Sequence, residues 1–393
     1  MEKFVKRTWA EVNINNIKHN FRKIKNKLNP KTKLLCVLKA DAYGHGSEFL
    51  VREYEKMGAD FFGVSNLDEA MQLRKAGARK PILIFGYTPS ECADILANNS
   101  ISQTVFSLEY AKQLQIQCKN KGVNIKAHIK IDTGMSRIGF FAQNEESRKK
   151  SINEILEINN MPEIEIEGMF THFSVADDTA NEKNYTLMQI NNFKNIINSL
   201  ESKKLHIPLK HCCNSGGMIN FPDMHLDMVR AGIILYGLYP SEEIAKKISL
   251  QLSMSLKTVI SQIKIIPKGT SVSYGRTFVA DKEIKIASVA IGYADGYSIK
   301  FSNNSEMIVR GKRSKVLGRV CMDQLMIDVS DVDGVREGDV VTVFGGDDEN
   351  YISVDELAKN IGTINYEIVC LIGKRVPRVY FENGEIVGNV SYI

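Results

Sequence analysis

The chain lacks any apolar run of the ~18–20 residues needed to cross a bilayer as a helix, so no membrane-spanning helix is expected. It lacks a strong charge of either sign. Lys plus Arg is 51 and Asp plus Glu is 46, a net +5 over 393 residues, with no block of like charges. Such a balance gives no electrostatic footprint for nucleic acid. The seven cysteines are an odd number without a C-x-x-C pair, and the seven histidines contain no H-E-x-x-H. A disulfide framework and a zinc site are therefore not expected. The opening MEKFVKRTWAEVN has none of the apolar stretch of a secretory signal. The expectation is a cytoplasmic protein with reduced thiols and no metal. Repeats, proline-rich linkers and low-complexity segments are also missing. What remains is ordinary globular composition, 44% hydrophobic and 25% charged, in a chain long enough for two or three domains.

The pattern that is present alternates strand and helix. Apolar, β-branched runs occur at 34–40, 61–66, 81–86, 101–107, 124–132, 164–173, 206–214 and 225–232. Amphipathic or short helical stretches separate them, among them SEFLVREYEKMGA, LDEAMQLRKAG and a long helix over 183–201. Near-continuous apolar strands between helices imply a parallel sheet covered on both faces. Eight such units match a (β/α)8 TIM-type barrel. The rival, an open doubly wound sheet, usually carries G-x-G-x-x-G at its first turn; here that turn reads KADAYGHG. After Pro240 the texture changes to alternating strands such as SLKTVISQIKII and EIKIASVAIG, closed by Gly, Asp and Asn, with one helix at VDELAKNIG. The division expected is a barrel over 1–240 and a mostly antiparallel β domain over 241–393, with the first ~12 residues available to pair with that β domain.

In a barrel the strand C-termini and the loops after them build the active site. On this rule Lys39 ends the first strand, Arg137 lies in the loop after the fifth, His172 ends the sixth, Asn214 and Ser215 follow the seventh, and Arg230 ends the eighth. Ser215 with the backbone near Gly232 and Ile233 suits a phosphate, which in this fold commonly sits on the loops after strands seven and eight. Lys39 closes an otherwise apolar strand and has two readings: a rim lysine that reaches water, or a partly desolvated amine used as a Schiff-base nucleophile. The second implies a carbonyl cofactor with a phosphate handle, pyridoxal phosphate. Taken singly, Tyr274 also reads as a sheet tyrosine, Met322 as core, and Tyr366 in INYEIV as a strand residue.

VLKADAYGHG resembles the cofactor-lysine motif of the alanine racemases. IDTGMSRIG, MVRAGIILYGLYP, SVSYGRTF, IGYADGY, VCMDQLMIDV and INYEIV resemble further motifs of that family in the same order, over essentially the whole chain. The resemblance implies an enzyme that interconverts L- and D-alanine with pyridoxal 5'-phosphate, supplying D-alanine for peptidoglycan. It implies that Lys39 and Tyr274 are the two catalytic bases. Tyr43, Ser215, Gly232, Ile233 and Tyr366 would hold the phosphate, Arg230 the pyridine nitrogen with His172 in support, and Arg137 with the Met322 backbone the substrate carboxylate. Lys130 matches a lysine carbamylated in some members. A homodimer whose subunits complete each other's sites is likewise implied. A serine-preferring or broad-specificity racemase of the same fold is the alternative. A related decarboxylase would normally set a carboxylate where Arg230 stands. One departure is visible: after GYADGY many members have an arginine, and this chain has Ile299 and Lys300. Arg319 and Asp177 remain as candidate charges at the substrate entrance.

Overall fold

The computed structural model describes residues 4–347 and 350–393. They form two compact units. One comprises residues 18–42 and 47–250, the other the chain start to Ile17, residues 43–46 and 251–393.

The first strand of the chain, β1 (Thr8–Asn13), belongs to the second unit, so the barrel begins with β2 (Lys33–Val37). It continues through β3 (Phe61–Val64), β4 (Ile82–Ile84), β5 (Ile101–Val105) and β6 (Ile125–Asp132). A two-residue strand, β7 (Phe140–Phe141), pairs beside β6. The set is completed by β8 (Ile164–Phe170), β9 (Leu209–His211) and β10 (Met228–Ala231). Eight parallel strands run in the order β10-β2-β3-β4-β5-β6-β8-β9. The ends are joined by the amides of Asp227 and Arg230, which donate to the carbonyls of Lys210 (3.1 Å) and Cys213 (3.0 Å). Helices between the strands begin where short polar side chains can cap them. Ser107 accepts the Tyr110 amide and Asn144 the Ser147 amide, and the helix Leu108–Lys121 stops on Gly122 at φ +62°. The TIM-type arrangement matches the expectation from the sequence pattern.

Strand limits differ in two useful places. The first strand ends at Val37, so Lys39 stands beyond it; the sixth ends at Phe170, two residues before His172. Lys39 opens a turn in which Ala40, Asp41, Ala42 and Tyr43 all have φ between +50° and +54°. Four consecutive non-glycine residues in the left-handed region cost roughly 1–2 kcal/mol each, and such strain collects at functional sites.

The second unit holds a ten-stranded sheet in which β1 lies between Met254–Ile266, antiparallel, and Arg378–Glu382, parallel. The remaining pairings are antiparallel. Residues 241–250 go with the barrel rather than with this sheet: the Glu243 carboxylate accepts from the Thr179 amide and hydroxyl, and the Leu250 amide donates to the Tyr239 hydroxyl at 2.7 Å. The segment INYEIV, read above as a strand, is a helix, Asn365–Cys370. Its buried residues Asn365, Ile368 and Val369 recur at helical spacing, and the Asn365 amide reaches Asp355 of the preceding helix at 2.7 Å. Among the described residues no helix is long and apolar enough to cross a membrane.

Candidate active site

The barrel interior and rim gather the cationic residues that the strand rule selected. Arg230 is buried. Its Nη2 donates to the carbonyls of Thr171 (2.8 Å) and Cys212 (3.0 Å) and to His172 Nδ1 (3.2 Å), and its Nη1 donates to His211 Nδ1 (3.0 Å). Among the described residues its Nε has no acceptor. Burial lowers the Arg230 pKa to about 10, so it remains a cation at neutral pH. The guanidinium carbon lies 5.3 Å from the centre of the Phe170 ring, and Lys130 Nζ lies 5.4 Å from the same centre.

Lys130 is buried and donates to the Ile131 carbonyl at 2.9 Å. Burial and the charge of Arg230, with a smaller contribution from Arg137, bring its pKa down to about 7 against the opposing pull of Asp132. Arg137 itself is exposed. Its loop is organised by Asp132 Oδ1, which accepts the amides of Gly134 (3.1 Å), Met135 (3.1 Å) and Ser136 (3.0 Å). His172 is held well below its usual pKa by burial and by the charges of Arg230, Lys130, Arg137 and Lys39. It is therefore neutral, a donor or acceptor but not a second positive charge.

Ser215 follows β9, and its Oγ accepts the Gly232 amide at 3.0 Å, which brings the loops after the seventh and eighth strands together; Ile233 is buried beside them. Asn214 accepts the Gly217 amide at 2.9 Å and donates to the Phe173 carbonyl at 3.2 Å. Glu69 braces the Lys39 turn by accepting the amides of Ala40 and Ser65, both at 2.7 Å.

In the second unit, the Tyr43 and Tyr366 rings sit 6.0 Å apart. Tyr43 leads into Gly44, where a side chain would collide with the Val369 carbonyl 2.1 Å from an added Cβ. Tyr274 is 71% exposed, on a short turn flanked by Ser273 (φ +65°) and Arg276 (φ +51°). Ser273 Oγ donates to the Arg319 carbonyl at 2.6 Å, tying this turn to the connection between Lys312–Leu317 and Leu325–Asp328 that carries Cys321 and Met322. The Cys321 and Met322 carbonyls are taken by the amides of Tyr293 and Ala294, both at 3.0 Å, while no acceptor is recorded for the Met322 amide among the described residues. Ile299 and Lys300 are both exposed.

The structure thus joins Arg230, His172 and Lys130; Ser215 with Gly232; Tyr43 with Tyr366; and Tyr274 with the Arg319–Met322 segment. Lys39 and Tyr274 belong to different units. Sequence reasoning missed Glu69 and Asp132, which order two of the loops, and the buried pair His128 and His211. The only signal for the pair was a histidine on each of two barrel strands, Ile125–Asp132 and Leu209–His211.

The family profile described as alanine racemase, N-terminal domain, matches residues 12–240, and that of the C-terminal domain matches residues 253–380. A relative named alanine racemase from Methanococcus maripaludis is 46% identical over 373 residues, covering 95% of this chain and 98% of its own. The solved alanine racemase of Clostridium difficile 630 is 41% identical, with a TM-score of 0.93 and full coverage of both chains. That of Bacillus anthracis with bound L-Ala-P is 36% identical, with a TM-score of 0.93, covering 100% of this chain and 99% of that one.

Proposed function

Because this chain belongs to the alanine racemase family, a family of pyridoxal-phosphate enzymes, we propose that it interconverts L-alanine and D-alanine by a two-base mechanism with pyridoxal 5'-phosphate as cofactor. Arg230 is the observation that carries the reading. A guanidinium can only donate, so Arg230 would hold the cofactor's ring nitrogen as an unprotonated acceptor, which a decarboxylase-type carboxylate would not do. The donor set fits the cofactor: among the described residues Arg230 Nε is unspent, Ser215 and Gly232 are joined at the end of the barrel where this fold binds phosphate, and Lys39 opens a strained, braced turn. Lys39 would hold the aldehyde carbon, Arg230 the ring nitrogen with His172 beside it, and Ser215, Gly232, Ile233, Tyr43 and Tyr366 the phosphate. The bound cofactor supplies an electron sink that acidifies the substrate Cα–H.

The chain's own residues then move one proton. Lys39 Nζ takes the Cα proton of D-alanine on one face, and Tyr274 Oη returns one on the other; for L-alanine the roles reverse. A phenol is a poor base at neutral pH. His172, being neutral, contributes an N–H rather than the positive charge expected of it. Arg137 and the Met322 amide bind the substrate carboxylate. The exposure of Tyr274 supports a homodimer in which each subunit's Tyr274 serves its partner's Lys39, since a base that works away from water needs cover. Apolar Tyr293, Ile299, Met322, Ile364 and Leu371 are exposed on the same unit. Cytoplasmic D-alanine supply for peptidoglycan is the corresponding role.

The test is incubation with L-alanine, L-serine and L-lysine separately. D-alanine should form faster than D-serine by up to about 10²-fold, the scale on which a pocket rejects one added hydroxyl. Faster formation of D-serine or D-lysine would transfer the reading to the broad-specificity alternative.

Lys130 should be carbamylated. A buried amine whose pKa is brought down to about 7 is substantially neutral at pH 7.5 and can attack carbon dioxide. The N–C bond forms, one N–H proton leaves to solvent, and the resulting anion sits between two arginine charges. Protein equilibrated with 13C-bicarbonate should show one carbamate carbonyl signal that disappears in Lys130→Met. A spectrum without such a signal would leave Lys130 an amine.

A further inference from the structure

Barrel interiors are usually filled by Val, Ile and Leu, yet this one contains a continuous polar chain that begins at Arg230. His211 Nδ1 accepts from Arg230, His211 Nε2 lies 2.9 Å from His128 Nδ1, and His128 Nε2 lies 3.3 Å from Glu167 Oε2. Both histidines are fully buried. Ser102 Oγ donates to the same Glu167 oxygen at 2.7 Å, and Lys126 Nζ to the other at 3.0 Å.

The chain has only one consistent direction. Arg230 has no lone pair to offer, so His211 must accept at Nδ1 and carry its proton at Nε2. That proton points at His128 Nδ1, which must accept, so His128 carries its own at Nε2 and donates to Glu167. Either ring as an imidazolium would set two N–H groups against each other. Burial lowers the pKa of both rings, most strongly for His211, and so agrees with neutral forms. Burial also disfavours a charged Glu167, but the hydrogen bonds from His128, Ser102 and Lys126 outweigh it and hold the carboxyl at about 2. The chain therefore runs from a cation to an anion.

The backbone is built for it. In the β6–β8 pairing, Ala127 faces Ile166 and His128 faces Gly168, so Glu167 is the extra residue of a bulge. Bulges re-aim a side chain. At Gly168 an added Cβ would fall 2.4 Å from His128 ring atoms, so only glycine leaves room for the imidazole.

We propose that Glu167, acting through His128 and His211, is a positioning residue that anchors the accepting end of this chain and so holds Arg230 with Nε–H left as the donor to the cofactor's ring nitrogen. The role toward the cofactor rests on the reading above; the direction of the chain does not.

Two measurements separate them. In cofactor-free protein, 15N shifts of the imidazoles should show both His128 and His211 protonated at Nε2 only. Protonation at Nδ1 of either would overturn the proposal. The second measurement is the binding of pyridoxal phosphate against its 1-deaza analogue, in which C–H replaces the ring nitrogen. Wild-type protein should prefer pyridoxal phosphate by roughly ten- to hundredfold, the worth of one hydrogen bond to a charged group. Glu167→Leu should reduce that preference to about threefold or less, whereas Glu167→Gln, which keeps an oxygen for His128 and Ser102 and turns its amide toward the exposed Lys126, should retain most of it. Equal weakening of both ligands in Glu167→Leu would mean a scaffold role only and would overturn the positioning role. Should that variant fail to fold, His128→Asn interrupts the chain at the next residue and carries the same expectations. No preference in wild type, with the Nε2 forms observed, would remove Arg230 from the ring nitrogen and leave the chain as structure alone.

Discussion

Lys39→Ala and Tyr274→Ala chains, each inactive alone, should recover about a quarter of wild-type activity when mixed and allowed to exchange. A twofold dimer in which one subunit's Tyr274 meets the other's Lys39 gives every mixed dimer one site with both bases and one with neither. Random exchange makes about half of the dimers mixed, and each has half of its sites intact. The structural basis is that Tyr274 stands 71% exposed on a turn held by Ser273 and the Arg319 carbonyl, so it is fixed in place yet uncovered. General bases contribute about 10²–10⁴ in rate, which makes recovery easy to see above the single variants. Specific activity of the wild type should also fall on dilution below the dimer dissociation constant. If exchange is verified by mass and no activity returns, both bases act within one chain.

Stability should fall steeply below pH 6.5, where free histidine takes up protons. His128 and His211 are neutral in the fold because burial depresses their pKa values. A depressed folded-state pKa means the unfolded chain binds more protons, so this stability is present above the unfolded pKa and is lost as pH falls. Each fully neutral histidine contributes a slope of up to about 1.4 kcal/mol per pH unit, so the pair contributes up to about 2.7. Glu167 acts in the same direction in a lower window, from its ordinary 4.5 down to about 2. Urea midpoints at pH 8, 7, 6 and 5 measure the effect. A midpoint unchanged to pH 5 would show that the histidines take up protons without leaving the fold, which the directed chain from Arg230 to Glu167 forbids.

Local pattern alone determined a good deal. The eight strand–helix alternations, the β texture after Pro240 and the lysine in VLKADAYGHG are encoded within a few residues of each other. Hydrophobic period and glycine punctuation act over that range. The barrel rule then selected Arg230, His172, Ser215 and Arg137 from sequence position, because side chains at strand C-termini share one rim whatever the details of packing. Tertiary structure decided the rest. INYEIV has the composition of a strand, and only its packing beside Asp355 makes it a helix. The neutrality of His172 and the pKa of about 7 for Lys130 come from desolvation beside Arg230, which is 58 residues from one and farther from the other along the chain. The route from Arg230 to Glu167 needs four strands in register, one bulge and the missing side chain of Gly168. His128 and His211 are separated by 83 residues, and nothing near either one in sequence announces the other. Which nitrogen of each ring carries the proton follows from what it faces across the barrel, and long-range closure of the chain sets those partners.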